Sequence, residues 1–320
     1  MKKPIILDEI DRKILEKFDE NARSTPTQIA VWLGESKQLV SYRIRKMIDR
    51  GIIDLVSAII ESAHLGYFHC QIYLKLSASR NTADTINKLA AIPSLHWEAL
   101  SPSRDLIIFF LARTMDKCFN TYQNILNTFS GQISAKDILI SGKTYYLNHR
   151  YITGAKPIVS INAVPKKVIE LKKRDLDIIN SIKENGRIQI NDIAKKITLS
   201  PFTIKQRIAY LRRKGIIKAF KLRLNDSLLG YKHYMALISL PTESIRRKEA
   251  VIRELINSSA STRIIESIGT WDIEVDFILE KNILPKEWLS KILFKAESSN
   301  IRYKIIRIEK VLPVNTVRFF

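Results

Sequence analysis

Cysteine is almost missing from this chain: 320 residues hold two, Cys70 and Cys118. Neither sits at metal or redox spacing, so both read as buried, reduced thiols of a cytoplasmic protein. Histidine is scarce as well, and positions 64, 69, 96, 149 and 233 show no ligand spacing. His69 and His233 are equivalent and are expected to pack in or beside the first sheet strand. There is no nucleophile triad, no phosphate loop and no acid pair. No metal or cofactor is expected. No apolar run approaches the roughly 18–20 residues of a membrane helix. The opening MKKPIILDEIDRK turns acidic too soon for a signal peptide. Acid is the other shortage. Asp+Glu number 32 against 53 Lys+Arg, a net charge of +21. Such an excess points to a polyanion partner, nucleic acid before a membrane surface.

What the chain does have is a repeat. Residues 7–76 and 171–240 align without a gap at an offset of 164, with 19 of 70 positions identical. Shared positions include Asp11/Asp175, Arg43/Arg207, Gly51-Ile52-Ile53/Gly215-Ile216-Ile217 and Leu65-Gly66-Tyr67/Leu229-Gly230-Tyr231. The copies differ in charge. Residues 8–60 balance at 9 basic and 9 acidic, whereas 170–224 carry 15 against 5.

In the second copy, apolar residues at helical spacing predict a helix over 175–183, stopped at Asn185-Gly186. A short helix is expected to start at Asn191-Asp192. Ser200 as cap and Pro201 at the first position mark a third, stopped by Gly215. The first copy predicts helices near 8–19, 27–33 and 37–50. Three helices with a short turn make a helix-turn-helix, and β-prone Ile216–Leu224 reads as its wing. Each remainder has the β-α-β-β-α-β order of a ferredoxin-like domain. The expected fold is therefore α+β: winged helix 1–60, ferredoxin-like domain 61–156, linker 157–169, winged helix 170–225 and ferredoxin-like domain 226–320.

At Leu199-Ser200-Pro201, Arg207-Ile208, Gly215-Ile216-Ile217, Leu229-Gly230-Tyr231 and Gly269-Thr270-Trp271-Asp272 the sequence resembles the Lrp/AsnC (feast/famine) regulators. The resemblance covers nearly the whole chain, twice. It implies a DNA-binding transcription regulator that pairs, and assembles further, through its ferredoxin-like domains. It also implies a small effector, commonly an amino acid. Two units in one chain would then make a covalent pseudo-dimer.

With Ile204, Ile208 and Leu211 inward, ~100° per residue turns Phe202, Gln206, Ala209, Tyr210 and Arg213 outward, flanked by Thr203, Lys205 and Arg212. An amide suits adenine and a guanidinium suits guanine in the major groove. Lys195, Lys196, Lys214, Lys218 and Lys221 are expected at phosphates. In the first copy the matching set is Gln38, Ser41, Tyr42, Arg45 and Lys46, but Asp49 stands where the second has Arg213. The first copy should bind double-stranded DNA more weakly. Arg43 and Arg207 lie at the edge of the buried stripe and are read as structural partners of Asp11 and Asp175. Neutralising Asp175 is expected to unfold the domain.

The resemblance places an effector near Gly269, Thr270, Trp271 and Asp272. The aligned Pro102-Ser103-Arg104-Asp105 has a proline without a backbone donor, so one site is expected, on the second half. Two rivals stand beside regulation. One is an architectural DNA binder of low specificity. The other is an enzyme resembling siroheme decarboxylases, although the sheet turns here lack the histidine of that resemblance.

Overall fold

The computed structural model describes residues 4–311, apart from 78–81, 91, 93–94, 104, 163–167, 242–246 and 297–300. Each half begins with three helices. They are α1 (Glu9–Glu20), α2 (Pro26–Leu33) and α3 (Lys37–Asp49), then α7 (Lys173–Glu184), α8 (Ile190–Ile197) and α9 (Pro201–Arg213). The expected caps operate. Ser36 and Ser200 accept from the Leu39 and Thr203 amides, and Thr25 forms a capping box with Gln28. Gly51 and Gly215 stop both third helices at φ +72° and +70°. One start differs: α8 begins at Ile190 with Gln189 before it, so Asn191 and Asp192 lie inside the helix.

The wing is a second difference. β1 (Ile53–Ile60) and β7 (Ile217–Leu224) do not form hairpins within their own units. They pair with each other, antiparallel, with Ser57 opposite Lys221. Each unit supplies one strand, and a lone strand leaves its backbone groups unpaired. The repeat solves this by sharing a ribbon. The two winged helices also share one core, in which Phe18, Ile29 and Val40 join Ile178, Ile193, Ile204 and Leu211.

Each half continues as a ferredoxin-like unit. The first has β2 (Phe68–Leu76), α4 (Thr82–Ala90), β3 (Leu95–Leu100), β4 (Asp105–Ala112), α5 (Met115–Thr128) and β5 (Ile133–Tyr146). After a one-turn helix α6 (Arg150–Thr153) and β6 (Ser160–Asn162), the second has β8 (Tyr231–Ser239), α10 (Lys248–Asn257), β9 (Ser261–Gly269), β10 (Ile273–Glu280), α11 (Pro285–Lys295), β11 (Arg302–Ile308) and β12 (Lys310–Val311). The strands form one sheet in the order β11-β8-β10-β9-β5-β2-β4-β3-β12, with β6 on β5. The halves join along β5 and β9 and again where β12 reaches β3. The inner faces pack together through Tyr73, Ile107, Phe109 and Leu139 against Met235, Leu237, Ile265 and Ile306.

The segment just before the expected linker is anchored, and residues 163–167 of the linker lie outside the described residues. Arg12 donates to the Ile152 carbonyl at 2.7 Å. His149 Nδ1 lies 2.5 Å from Asp19. Arg150 donates to the carbonyls of Ile256 and Asn257 at the end of α10, at 2.7 and 2.8 Å. Among the described residues no helix is long and apolar enough to cross a membrane.

Candidate nucleic-acid interface

On α9 the apolar stripe is inward: Ile204 and Leu211 are buried and Ile208 half-buried. Phe202, Lys205, Gln206, Arg212 and Arg213 are exposed, Phe202 at 69%. Thr203 is half-buried. Lys195 and Lys196 are exposed on α8, and Lys214 and Lys218 extend the same cationic surface. The helix thus presents an amide, two guanidiniums and an aromatic ring beside a set of ammonium groups.

Two expected contacts sit elsewhere. Tyr210 is half-buried against the core, with the Arg207 guanidinium 4.7 Å from its ring centroid. Lys221 is not at the surface. Strand alternation puts it on the ribbon face opposite Phe220 and Leu222, where its Nζ is buried with no hydrogen-bond partner among the described residues. Burial lowers its pKa and the nearby Asp19 carboxylate opposes this.

Arg207 does make the structural pair. Its Nε donates to Asp175 Oδ1 at 2.6 Å and its Nη2 to Oδ2, and Asp175 is 1% exposed. In the first copy Arg43 donates to Asp8 at 2.5 Å and lies 3.6 Å from Asp11. The hydrogen bond has moved one helical turn, because position 8 is aspartate where the second copy has Lys172.

On α3, Gln38, Tyr42, Arg45 and Asp49 are exposed while Ser41 and Lys46 are half-buried. The Lys46 Nζ lies 5.7 Å from the Tyr42 ring centroid. Exposed apolar side chains lie nearby. Val31 is 79% exposed where the second copy has Lys195. Trp32 and Ile48 are exposed where it has Lys196 and Arg212. These replacements are legible in the repeat alignment; only their exposure needed the structure.

The turn at 269–272 brings its four residues together and engages each. Gly269 has φ +143°, and a Cβ there would lie 2.6 Å from Leu139 Cδ2 and 2.8 Å from the Ile138 carbonyl. Trp271 is buried between the sheets, its Nε1 donating to Asp137 at 3.4 Å. The Thr270 carbonyl accepts from Arg302 at 3.4 Å. Asp272 accepts from the Leu240 amide at 2.7 Å. An open cavity of about 570 Å³ lies instead beside the first-half turn at Pro102 and Ser103. Arg104 is outside the described residues.

A model for winged helix-turn-helix DNA-binding domains matches residues 7–54 and 171–218. The HTH-type transcriptional regulator FL11 of Pyrococcus furiosus is 30% identical over 115 residues, which span 36% of this chain and 68% of that protein. The leucine-responsive regulatory protein of Haemophilus influenzae is 25% identical over 119 residues, 37% of this chain and 70% of its own length. The chain belongs to the Lrp/AsnC family. These relatives match less than half of this family member, which carries the unit twice. A full-length likeness of fold alone is to the siroheme decarboxylase NirDL, with TM-score 0.62, 13% identity, and coverage of 98% of this chain and 95% of that one.

One feature of this Lrp/AsnC chain escaped sequence reasoning: a polar cluster between the sheets. Tyr73 of the first half and Ser267 of the second both donate to the Glu274 carboxylate. Burial pushes Glu274 up to about 7, against the two hydroxyl donors. Arg263 donates to Asp276 at 2.5 Å, and its guanidinium lies 4.8 Å from the Phe109 ring centroid. Lys304 donates to Asp105 at 2.8 Å across the halves. Alternation inside a strand marks these positions as inward but does not say what they meet.

Proposed function

We propose that the chain is a sequence-specific transcriptional regulator that works as a covalent pseudo-dimer, with the second winged helix supplying most of the grip on DNA. The exposed Lys205, Gln206, Arg212 and Arg213 on α9, beside Lys195 and Lys196, carry this reading. Bidentate groups at a third helix suit base edges, and the lysines suit phosphates. The first copy offers Gln38, Ser41, Tyr42, Arg45 and Lys46 but replaces flanking cations by Val31, Trp32, Ile48 and Asp49. It acts as the weaker half-site reader. The shared core and ribbon hold both winged helices in one relation, so the two half-sites on DNA are unlike. A small effector, such as an amino acid, acts through the sheet domains. Further chains pair through the same domains, on surfaces that include the exposed Met115, Phe119 and Ile268.

Footprinting on genomic fragments tests this. The expected result is an asymmetric pair of half-sites about one helical turn, or a multiple, apart. Equal affinity and equal salt slope on specific and random duplexes would make the chain an architectural binder instead. The full-length fold likeness to a siroheme decarboxylase favours a second reading, an enzyme on this scaffold. A visible absorbance band on adding a tetrapyrrole, with its consumption, would establish that reading and displace regulation.

A further inference from the structure

We infer that the cavity beside Pro102 and Ser103 is a binding site for an organic anion with a flat apolar body, such as an aromatic carboxylate. Its role as an effector site rests on the regulatory reading above; its binding chemistry does not. The cavity spans the two halves. Pro102 and Ser103 come from the first, and Tyr234, Pro285, Lys286, Tyr303, Ile305 and Arg307 from the second. Its volume of about 570 Å³ falls in the range of roughly 300–1,000 Å³ usual for small-molecule sites. Two junctions join the halves. On one side β5 runs against β9 from Leu139 to Tyr146. On this side, among the described residues, β12 pairs with β3 at Lys310 and Val311.

The lining has a chemical bias. Among the described residues Lys286 and Arg307 border the cavity and no carboxylate does. α11 starts there with Pro285, which has no N–H; its N-cap Leu284 makes no side-chain bond, leaving the Lys286 and Glu287 amides uncapped, with the Glu287 carboxylate in the same turn. Tyr234 is 7% exposed and lines the cavity. Its ring is held by stacking on Phe277 at 5.5 Å, which stacks on Trp288 at 4.1 Å. A phenol on a rigid platform at the cavity wall can hydrogen-bond a ligand's polar group. Tyr303, Ile305 and the two prolines form the wall for an apolar body.

The other half makes a control. By register against the first sheet strand, Tyr234 and Arg307 correspond to Cys70 and Ile140. Cys70 faces Cys118, Sγ to Sγ 3.2 Å, inside the core. The second residue of α5 is Asp116 where α11 has Lys286, and the α5 start is already capped by Thr114. Every anion-binding feature of the one cleft is replaced in the other.

Titration calorimetry of the full chain without DNA tests this, using phenylacetate, its neutral amide and acetate. Phenylacetate is expected to bind, and the amide and acetate at least about tenfold more weakly, the loss of one charge-assisted contact or of the apolar wall. Arg307→Gln and Lys286→Gln should each weaken phenylacetate about tenfold, with unchanged melting temperature, and Lys291→Gln should not. Equal affinity for acid and amide, undiminished binding by both variants, or no saturable binding of phenylacetate, benzoate and indole-3-acetate would overturn the site. A parallel operator titration separates the two readings. DNA binding without anion binding overturns the site and leaves regulation standing; anion binding without DNA binding does the reverse.

Discussion

Removing Arg207 should damage the second winged helix more than removing its partner Asp175. Asp175 is 1% exposed, and Arg207→Ala strands its carboxylate in the core. An uncompensated buried charge costs about 3–5 kcal/mol. The guanidinium is different: its side chain is 34% exposed and lies over the Tyr210 ring. After Asp175→Ala it can hydrate and keep that stacking, so the loss falls to about 1–2 kcal/mol. This corrects the expectation that neutralising Asp175 alone unfolds the domain, which assumed a fully buried arginine. The double variant should be less damaged than Arg207→Ala, since no orphan charge remains. In the first copy Arg43 has two acceptors, and Asp8 is about half exposed at 49%, so Asp11→Ala should cost ~1 kcal/mol or less. Urea denaturation followed by circular dichroism reads these differences, and roughly 2–4 °C of melting temperature per kcal/mol is expected at this size. Asp175→Ala proving as costly as Arg207→Ala would refute the reasoning.

Four further outcomes are expected. Stability should fall as pH rises through about 7, because Glu274 keeps its proton in the fold up to there. The folded state then holds more protons than the unfolded one above the ordinary value of 4.5; the contribution is complete below 4.5 and is lost through 7. Glu274→Gln should flatten that slope in pH-dependent melting. Gly269→Ala should lower the melting temperature by several degrees, costing more than about 1 kcal/mol, since its Cβ would strike the Ile138 carbonyl. Lys195→Ala should reduce the salt slope of DNA binding by about one, measured by fluorescence anisotropy, while Arg213→Ala relaxes sequence preference. Asp49→Arg should tighten operator binding several-fold by removing a carboxylate near phosphate; no change would mean that α3 does not approach DNA.

The helices and strands were largely legible because their signals are local. Ser200-Pro201, Gly215 and the apolar spacing act over one or two turns, and the repeat let each copy check the other. The start of α8 was misplaced because Asn191 and Asp192 look like caps, whereas Gln189 occupies that place without giving a side-chain bond. On the candidate DNA face, the outward set was readable from helical periodicity for Phe202, Lys205, Gln206, Arg212 and Arg213. Lys221 departs from its expected place, and Tyr210 is half-buried, for one reason. Periodicity assigns a direction, but a neighbouring element decides whether that direction is solvent. Arg207 covers Tyr210, and the connector around His149 and Asp19 covers Lys221.

Local patterns in the chain carry three helices and a βαββαβ unit, each written twice, most of the caps and stops, and the concentration of positive charge in the second copy. Those follow from residue type and short-range spacing. How the copies meet is a matter of the folded chain: the ribbon of β1 with β7, the shared winged-helix core, the Tyr73–Glu274 and Asp105–Lys304 contacts, and the cavity at Pro102. Those depend on pairings between residues far apart in the chain, where strand edges and buried polar groups must find partners. Nothing in a local pattern specifies which partner is found.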